Sequence, residues 1–179
     1  EEVVFVMQHE PLGLGHAVLC AREHAGDGPV AVVLPDDLIL GKPGCLAEMI
    51  AAYDPTRAGH MVATMNVPRE QVSSYGVLAP MSRTGRTVYA EGMVEKPKPD
   101  VAPSTTAVVG RYLLDNRIFD ALETQDPGAG GEIQMTDAIA RGVDDIGLAG
   151  FDFSGERFDC GSKAWMLAAT LHLASQHAE

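Results

Sequence analysis

The chain has 179 residues, 46% hydrophobic and 21% charged, an ordinary balance for one globular domain or for a fragment of a larger one. Its formal net charge is −12 and its pI is near 4.8, with no basic cluster, so a nucleic-acid backbone would be repelled. A small phosphorylated ligand stays admissible, because one lysine and a metal ion can reverse the sign inside a pocket.

Residues 3–7 and 30–34 are short valine-rich runs, the pattern of strands buried on both faces, and residues 16–24 between them read as a helix. Strand, helix and strand in that order predict a βαβ unit with a parallel sheet. A second helix is expected over 46–53 and a third strand over 61–67. Residues 76–79 and 88–95 read as strands around a turn at 82–85, followed by a proline-rich loop at 97–103. Another strand covers 106–112 and a short helix 118–122. Gly128, Gly130 and Gly131 lead into a helix near 133–141. A late strand at 147–153, a turn at Ser154-Gly155 and a terminal helix over 162–177 complete the chain. That helix carries apolar Trp165, Leu167, Ala168, Leu171 and Leu173. The alternation makes the class α/β. Because a domain rarely begins inside a strand, the expectation is a single domain over residues 1–179, incomplete at its N-terminus.

Cys20, Cys45 and Cys160 are odd in number and widely spaced, which suits neither a disulfide framework nor a Cys-x-x-Cys zinc site. No apolar run approaches the roughly 20 residues of a membrane span, and no signal-peptide pattern opens the chain. Reduced thiols and a cytoplasmic location are expected.

Four short motifs carry candidate chemistry. Gln8 to His16, containing Gly13 and Gly15, joins a strand to a helix. Glycines there let backbone approach a ligand, and a glutamine amide both donates and accepts, as the edge of a base requires. Taken alone it reads as a glycine-containing strand-to-helix turn with a solvated Gln8, which many α/β proteins have. Leu34-Pro35-Asp36-Asp37 ends a strand, where ligands of open α/β sheets gather. A carboxylate at that place suits Mg²⁺, and an aspartate also caps a turn, so the adjacent acids allow one role each.

Glu95-Lys96-Pro97 closes another strand. Successive strand side chains face opposite ways, so both charges reach one site only where the strand stops or bulges. A lysine suits a phosphate and a carboxylate suits sugar hydroxyls, although a solvated pair is the commoner outcome. In Phe158-Asp159-Cys160-Gly161, Asp159 is a second metal-ligand candidate or a residue favouring the following helix N-terminus. Cys160 reads as a small buried residue rather than a nucleophile.

The order and spacing of these motifs, together with Tyr75-Gly76, Gly110-Arg111-Tyr112, the run from Gly128 through Glu132, Gln134, Thr136 and Asp137 to Ile139, and Asp159-Cys160-Gly161-Ser162-Lys163, resemble the bacterial UTP–glucose-1-phosphate uridylyltransferase family. The resemblance covers essentially the whole chain, and 13–18 and 128–139 are its most specific stretches. It implies a Rossmann-like nucleotidyltransferase fold with a mixed, mostly parallel sheet flanked by helices. It also implies a homodimer or homotetramer with no nucleic-acid or membrane partner. The implied reaction is Mg²⁺-dependent formation of UDP-glucose and pyrophosphate from UTP and glucose 1-phosphate.

By position, Gln8 and Gly13 match the family's uracil-reading pair, Asp36 its principal metal ligand and Asp159 its second metal carboxylate. Gly76 matches a backbone contact to glucose, Glu95 the group at the sugar hydroxyls, Lys96 the group at its phosphate, and Val108 a wall of the sugar pocket. Lys96 and Asp36 are the implied catalytic residues.

Two departures stand out. The family's opening loop, Gly-x-Gly-Thr-Arg-x-x-Pro-x-Thr-Lys, has no match here, so its triphosphate grip and its first βα units are expected to be missing and these residues alone to be inactive. Ala164-Trp165-Met166 replaces a family glycine and aromatic, which bears on helix packing. A thymidylyltransferase or other sugar-1-phosphate nucleotidyltransferase, and a non-catalytic sugar-nucleotide-binding regulatory protein, are the alternatives.

Overall fold

The computed structural model describes residues 2–176. Its regular elements are α1 (Leu14–Cys20), β1 (Val30–Val33), β2 (Asp37–Leu40), α2 (Cys45–Ala52), β3 (His60–Asn66), β4 (Gly76–Thr84), β5 (Thr87–Glu95), β6 (Thr106–Leu114), α3 (Ile118–Glu123), α4 (Met135–Arg141), α5 (Val143–Ile146), β7 (Leu148–Asp152), β8 (Glu156–Asp159) and α6 (Lys163–Gln176). Short 3₁₀ segments follow α1 and precede β4, β6 and α4.

Six strands form the main sheet in the order β1-β6-β3-β7-β5-β4, and β2 and β8 form a separate antiparallel pair. Within the main sheet only β3 and β7 run parallel. The α/β class holds, but the expected mostly parallel sheet is corrected: its strands are mostly antiparallel. The reason is visible in the partners. β4 and β5 form a hairpin whose turn needs only Gly85, at φ 59, and Arg86. β1 pairs antiparallel with distant β6, so the expected parallel βαβ unit does not form.

Residues 3–7, expected as a strand, pair with nothing among the described residues. Their side chains are exposed, Phe5 to 95%. An apolar run becomes a strand only where a neighbour supplies its hydrogen bonds, and none lies alongside. β1 is likewise an edge strand of alternating exposure rather than one buried on both faces. The expected last residue of the terminal helix, His177, lies outside the described residues. Trp165, Leu167 and Leu171 of α6 face outward, and Ala169 is the helix's buried residue.

The strand period of two divides β3 between both faces of the sheet. Val62 packs with Ile118, Phe119 and Leu122 of α3 and with Met135, Ala138 and Ile139 of α4. Met61 and Ala63 pack on the other face with Cys45 and Met49 of α2. The helical residues recur at intervals of three and four, which puts them on one stripe. Met49 is fully buried, a contribution of about 1.5–3 kcal/mol relative to exposure. Helices thus cover both faces and fix the central strands whose ends carry polar residues.

Candidate functional site

Three strand registers converge on one place. Gly76 stands opposite Glu95, Val77 opposite Ala107, and Asp37 opposite Asp159. Leu34 donates its N–H to the Gly110 carbonyl at 2.9 Å, tying the start of the β2–β8 ribbon to the middle of β6. Between these elements lies a cavity of about 380 Å³. Asp36, Gly76, Glu95, Lys96, Val108 and Asp159, six of the eight residues singled out by the sequence, line it. Gln8 and Gly13 do not; they lie beyond Leu14, which does.

Glu95 and Lys96 enter the cavity together because β5 stops between them. Lys96 adopts φ 43, a left-handed conformation that a non-glycine residue before proline seldom takes. Its N–H donates to the Tyr75 carbonyl at 3.0 Å, which holds the reversal. The Lys96 side chain stays 59% exposed, with its Nζ 3.5 Å from Glu95 Oε1. The other Glu95 oxygen, Oε2, accepts from Thr136 Oγ1 at 2.5 Å. A Cβ added at Gly76 would sit 3.4 Å from both Glu95 Oε2 and Thr136 Oγ1, so this glycine keeps the wall open over that pair.

The adjacent acids differ in their surroundings, and among the described residues neither caps a turn: Asp37 is tied to β6 and β8. Asp37 is buried and saturated: Oδ2 accepts from the Gly110 N–H at 2.6 Å and Oδ1 from Arg157 Nε at 2.5 Å. Asp36 is exposed, and its carboxylate accepts no hydrogen bond among the described residues; its backbone carbonyl takes the Cys160 N–H at 2.7 Å. Asp159 accepts from Arg157 through Oδ2 at 3.4 Å and from the Gly161 N–H through Oδ1 at 3.3 Å. Cys160, expected buried, is partly exposed.

Gly161 matters to this pair. A Cβ there would lie 3.1 Å from Asp159 Oδ1 and 3.3 Å from Asp36 Oδ2, so both oxygens look onto one small space that any other residue would fill. Two carboxylates and a free space fit Mg²⁺, which takes few protein ligands and fills its shell with water and phosphate oxygens. Charge points the same way, because four lining carboxylates, Asp36, Asp37, Glu95 and Asp159, face two cations, Lys96 and Arg157. Among the described residues no group of three or more such ligands comes together.

Nothing in the sequence signalled Arg157, and Thr136 and Tyr112 were marked only as motif residues, without their places beside Glu95 and in the cavity wall. Burial works against the charge of Arg157, but Asp37 beside it more than compensates and its pKa is raised. Burial, with Glu95 and Asp37 nearby, pushes the Tyr112 phenol up to about 12, so it stays neutral in the cavity wall.

Behind the cavity, the two most specific stretches meet. Gly15 donates its N–H to the Ile133 carbonyl at 2.9 Å, and Ile133 donates to the Leu12 carbonyl at 2.7 Å. Gly13, at φ 96, approaches Glu132 closely enough that a Cβ would lie 2.8 Å from the Glu132 Cβ. Gln8 Nε2 donates to the Gly13 carbonyl at 3.1 Å and lies 3.0 Å from His16 Nδ1, so its amide is held against the turn.

A family model described as Nucleotidyl transferase matches residues 1–176. The chain is 44% identical over 151 residues to a UTP--glucose-1-phosphate uridylyltransferase of Komagataeibacter xylinus, covering 84% of this chain and 53% of that protein. It is 39% identical over 178 residues to the Bacillus subtilis protein of the same name, covering 99% of this chain and 61% of the relative. A solved UDP-glucose pyrophosphorylase complexed with UDP-glucose superposes with a TM-score of 0.89 at 35% identity, over 95% of this chain and 65% of that one. The chain therefore spans between about half and two thirds of the length of these relatives.

Proposed function

This chain belongs to the nucleotidyl transferase family, and we propose that its protein joins UTP and glucose 1-phosphate into UDP-glucose, releasing pyrophosphate. The observation that carries the reading is the convergence of Glu95, Lys96, Asp36 and Asp159 on one cavity. Relatives 39–44% identical to it over most of its length, which carry the uridylyltransferase name, support it. No feature of the cavity favours a thymidylyltransferase or a non-catalytic binder instead.

Glucose 1-phosphate binds with its hydroxyls on Glu95, whose orientation Thr136 fixes, and its phosphate on Lys96. Gly76 and Val108 form the sugar wall. Gln8 and the backbone of Gly13, on the turn behind Leu14, are the contacts proposed for the uracil. That requires the Gln8 amide to exchange its bond to the Gly13 carbonyl for the base. A phosphate oxygen of the sugar attacks the α-phosphorus of UTP in line; the bond to the bridging oxygen breaks, and pyrophosphate leaves with the electron pair. That oxygen is already ionised near neutral pH, so no side chain need remove a proton. Lys96 holds it in place, and the catalytic gain comes from position and charge. Asp36 and Asp159 would hold Mg²⁺, which supplies positive charge to the phosphates.

Free thiols at all three cysteines suit a reducing compartment such as the cytoplasm. Among the described residues no helix is long and apolar enough to cross a membrane. A homodimer or homotetramer belongs to the same reading. The test is turnover of the full-length protein with UTP against dTTP. Pyrophosphate release with UTP and glucose 1-phosphate is expected; a clear dTTP preference, or binding of UDP-glucose with no release, would overturn the proposal.

A further inference from the structure

Arg157 is assigned no ligand above, yet it is the most constrained cation of the cavity. Its side chain is 12% exposed, and its guanidinium lies 5.7 Å from the Tyr75 ring centroid. Strand alternation puts Arg157 and Asp159 on one face of β8, and Asp37 stands directly across from Asp159 on β2. The fork therefore meets both acids at once. Nε donates to Asp37 Oδ1 at 2.5 Å, the adjacent terminal nitrogen pairs with the same oxygen, and that nitrogen lies 3.4 Å from Asp159 Oδ2. Asp37 is in turn fixed to β6 through the Gly110 N–H.

We propose that Arg157 is a positioning residue for the cation site: anchored on Asp37, it holds one oxygen of Asp159 and leaves the other turned towards Asp36. The inference rests on the reading of Asp36 and Asp159 as the cation's ligands. Two consequences follow from its chemistry. The guanidinium cancels the charge of Asp37, so a divalent cation meets two negative charges rather than three. It also restrains the Asp159 carboxylate, so Oδ1 stays beside Gly161 within reach of the space shared with Asp36 Oδ2. A planar fork does both; a lysine, a single point charge, cannot span the two acids with fixed geometry. Partners that orient a metal ligand in this way typically change metal affinity by about 10- to 100-fold when removed.

The test uses full-length protein saturated with UDP-glucose, with Mn²⁺ as the probe and free Mn²⁺ read by electron paramagnetic resonance. Arg157→Gln is expected to weaken Mn²⁺ binding about tenfold or more, and Arg157→Lys by less. UDP-glucose affinity measured calorimetrically in chelator is expected to stay within about twofold, a pattern that general loosening of the fold would not give. Wild-type Mn²⁺ affinity in folded Arg157→Gln overturns the proposal. Should that variant fail to fold, Arg157→Lys decides: weakened Mn²⁺ binding supports it and unchanged binding overturns it. Asp36→Ala and Asp159→Ala run alongside; if both bind Mn²⁺ as the wild type does, the underlying assignment of the cation's ligands fails instead.

Discussion

Glu48 and Asp37 are both buried carboxylates held by an arginine and a backbone N–H, but their surroundings differ. On the α2 side of the sheet, Glu48 accepts from Ser154 N–H at 2.8 Å, Ser154 Oγ at 2.6 Å and Arg86 at 3.0 Å. That cluster ties α2 to the turn between β7 and β8 and to the start of β5, and both carboxylate oxygens are used. Asp37 is just as fully paired, yet it lies next to Asp36 with a free carboxylate and shares its cavity with a largely exposed Lys96. Complete pairing builds scaffold in both places. Only at the cavity does the scaffold support charges left available to a ligand.

That contrast can be broken at several points, beginning with the largest effect. Asp37→Ala leaves the largely buried Arg157 with only its longer carboxylate contact, to Asp159, and about 3–5 kcal/mol of unfolding free energy is expected to be lost in urea denaturation. A loss below about 1 kcal/mol, the scale of an exposed ion pair, would show that Asp37 is not the anchor described.

Lys96→Ala is the reverse case. Turnover of the full-length protein is expected to fall about 100-fold, while stability stays within about 0.5 kcal/mol because the side chain is exposed. Near-normal turnover would remove Lys96 from the mechanism. Glu48→Gln is expected to cost about 1–3 kcal/mol of stability and to leave turnover unchanged wherever the protein is folded. A specific loss of activity in that variant would erase the distinction between the two clusters.

The mildest test uses acid. Burial alone would raise the Glu48 pKa, but Ser154 and Arg86 outweigh it and hold the carboxyl at about 2, below its ordinary 4.5. A depressed pKa means the unfolded chain takes up the proton first. The stability Glu48 supplies is therefore complete above pH 4.5 and drains away as pH falls towards 2. Comparison of wild type with Glu48→Gln across that window is expected to show the shallower acid limb in the variant.

Sequence pattern located most of the sheet because local signals suffice for it. The valine-rich core of β6 and the alternation in β5 announce strands wherever they pair. Direction and partner are different information. Nothing within 30–34 specifies an antiparallel neighbour some eighty residues later, and nothing within 3–7 reveals that no neighbour is at hand. The β2–β8 ribbon was illegible for the same reason: two four-residue strands become strands only through each other. Arg157 was hidden with them. Lys96 was half legible, since Pro97 signalled the end of a strand, but the φ that turns its side chain in beside Glu95 is set by the contact with Tyr75. Gln8 and Gly13 were legible as a turn, and the structure puts that turn behind Leu14 rather than in the cavity wall.

The contact between Gly15 and Ile133 bears on how such a protein can change over generations. A Cβ at Gly15 would lie 2.5 Å from the Ile133 carbonyl oxygen and 2.7 Å from Leu122 Cδ2, so neither backbone nor core gives way. A mutation at this one position would pry α1 from the segment leading into α4, and the turn carrying Gln8 would shift with it. Drift in either motif is thereby yoked to drift in the other. Lineages altering this turn must cross a valley of poorly folded intermediates unless the 132–133 segment changes in the same step.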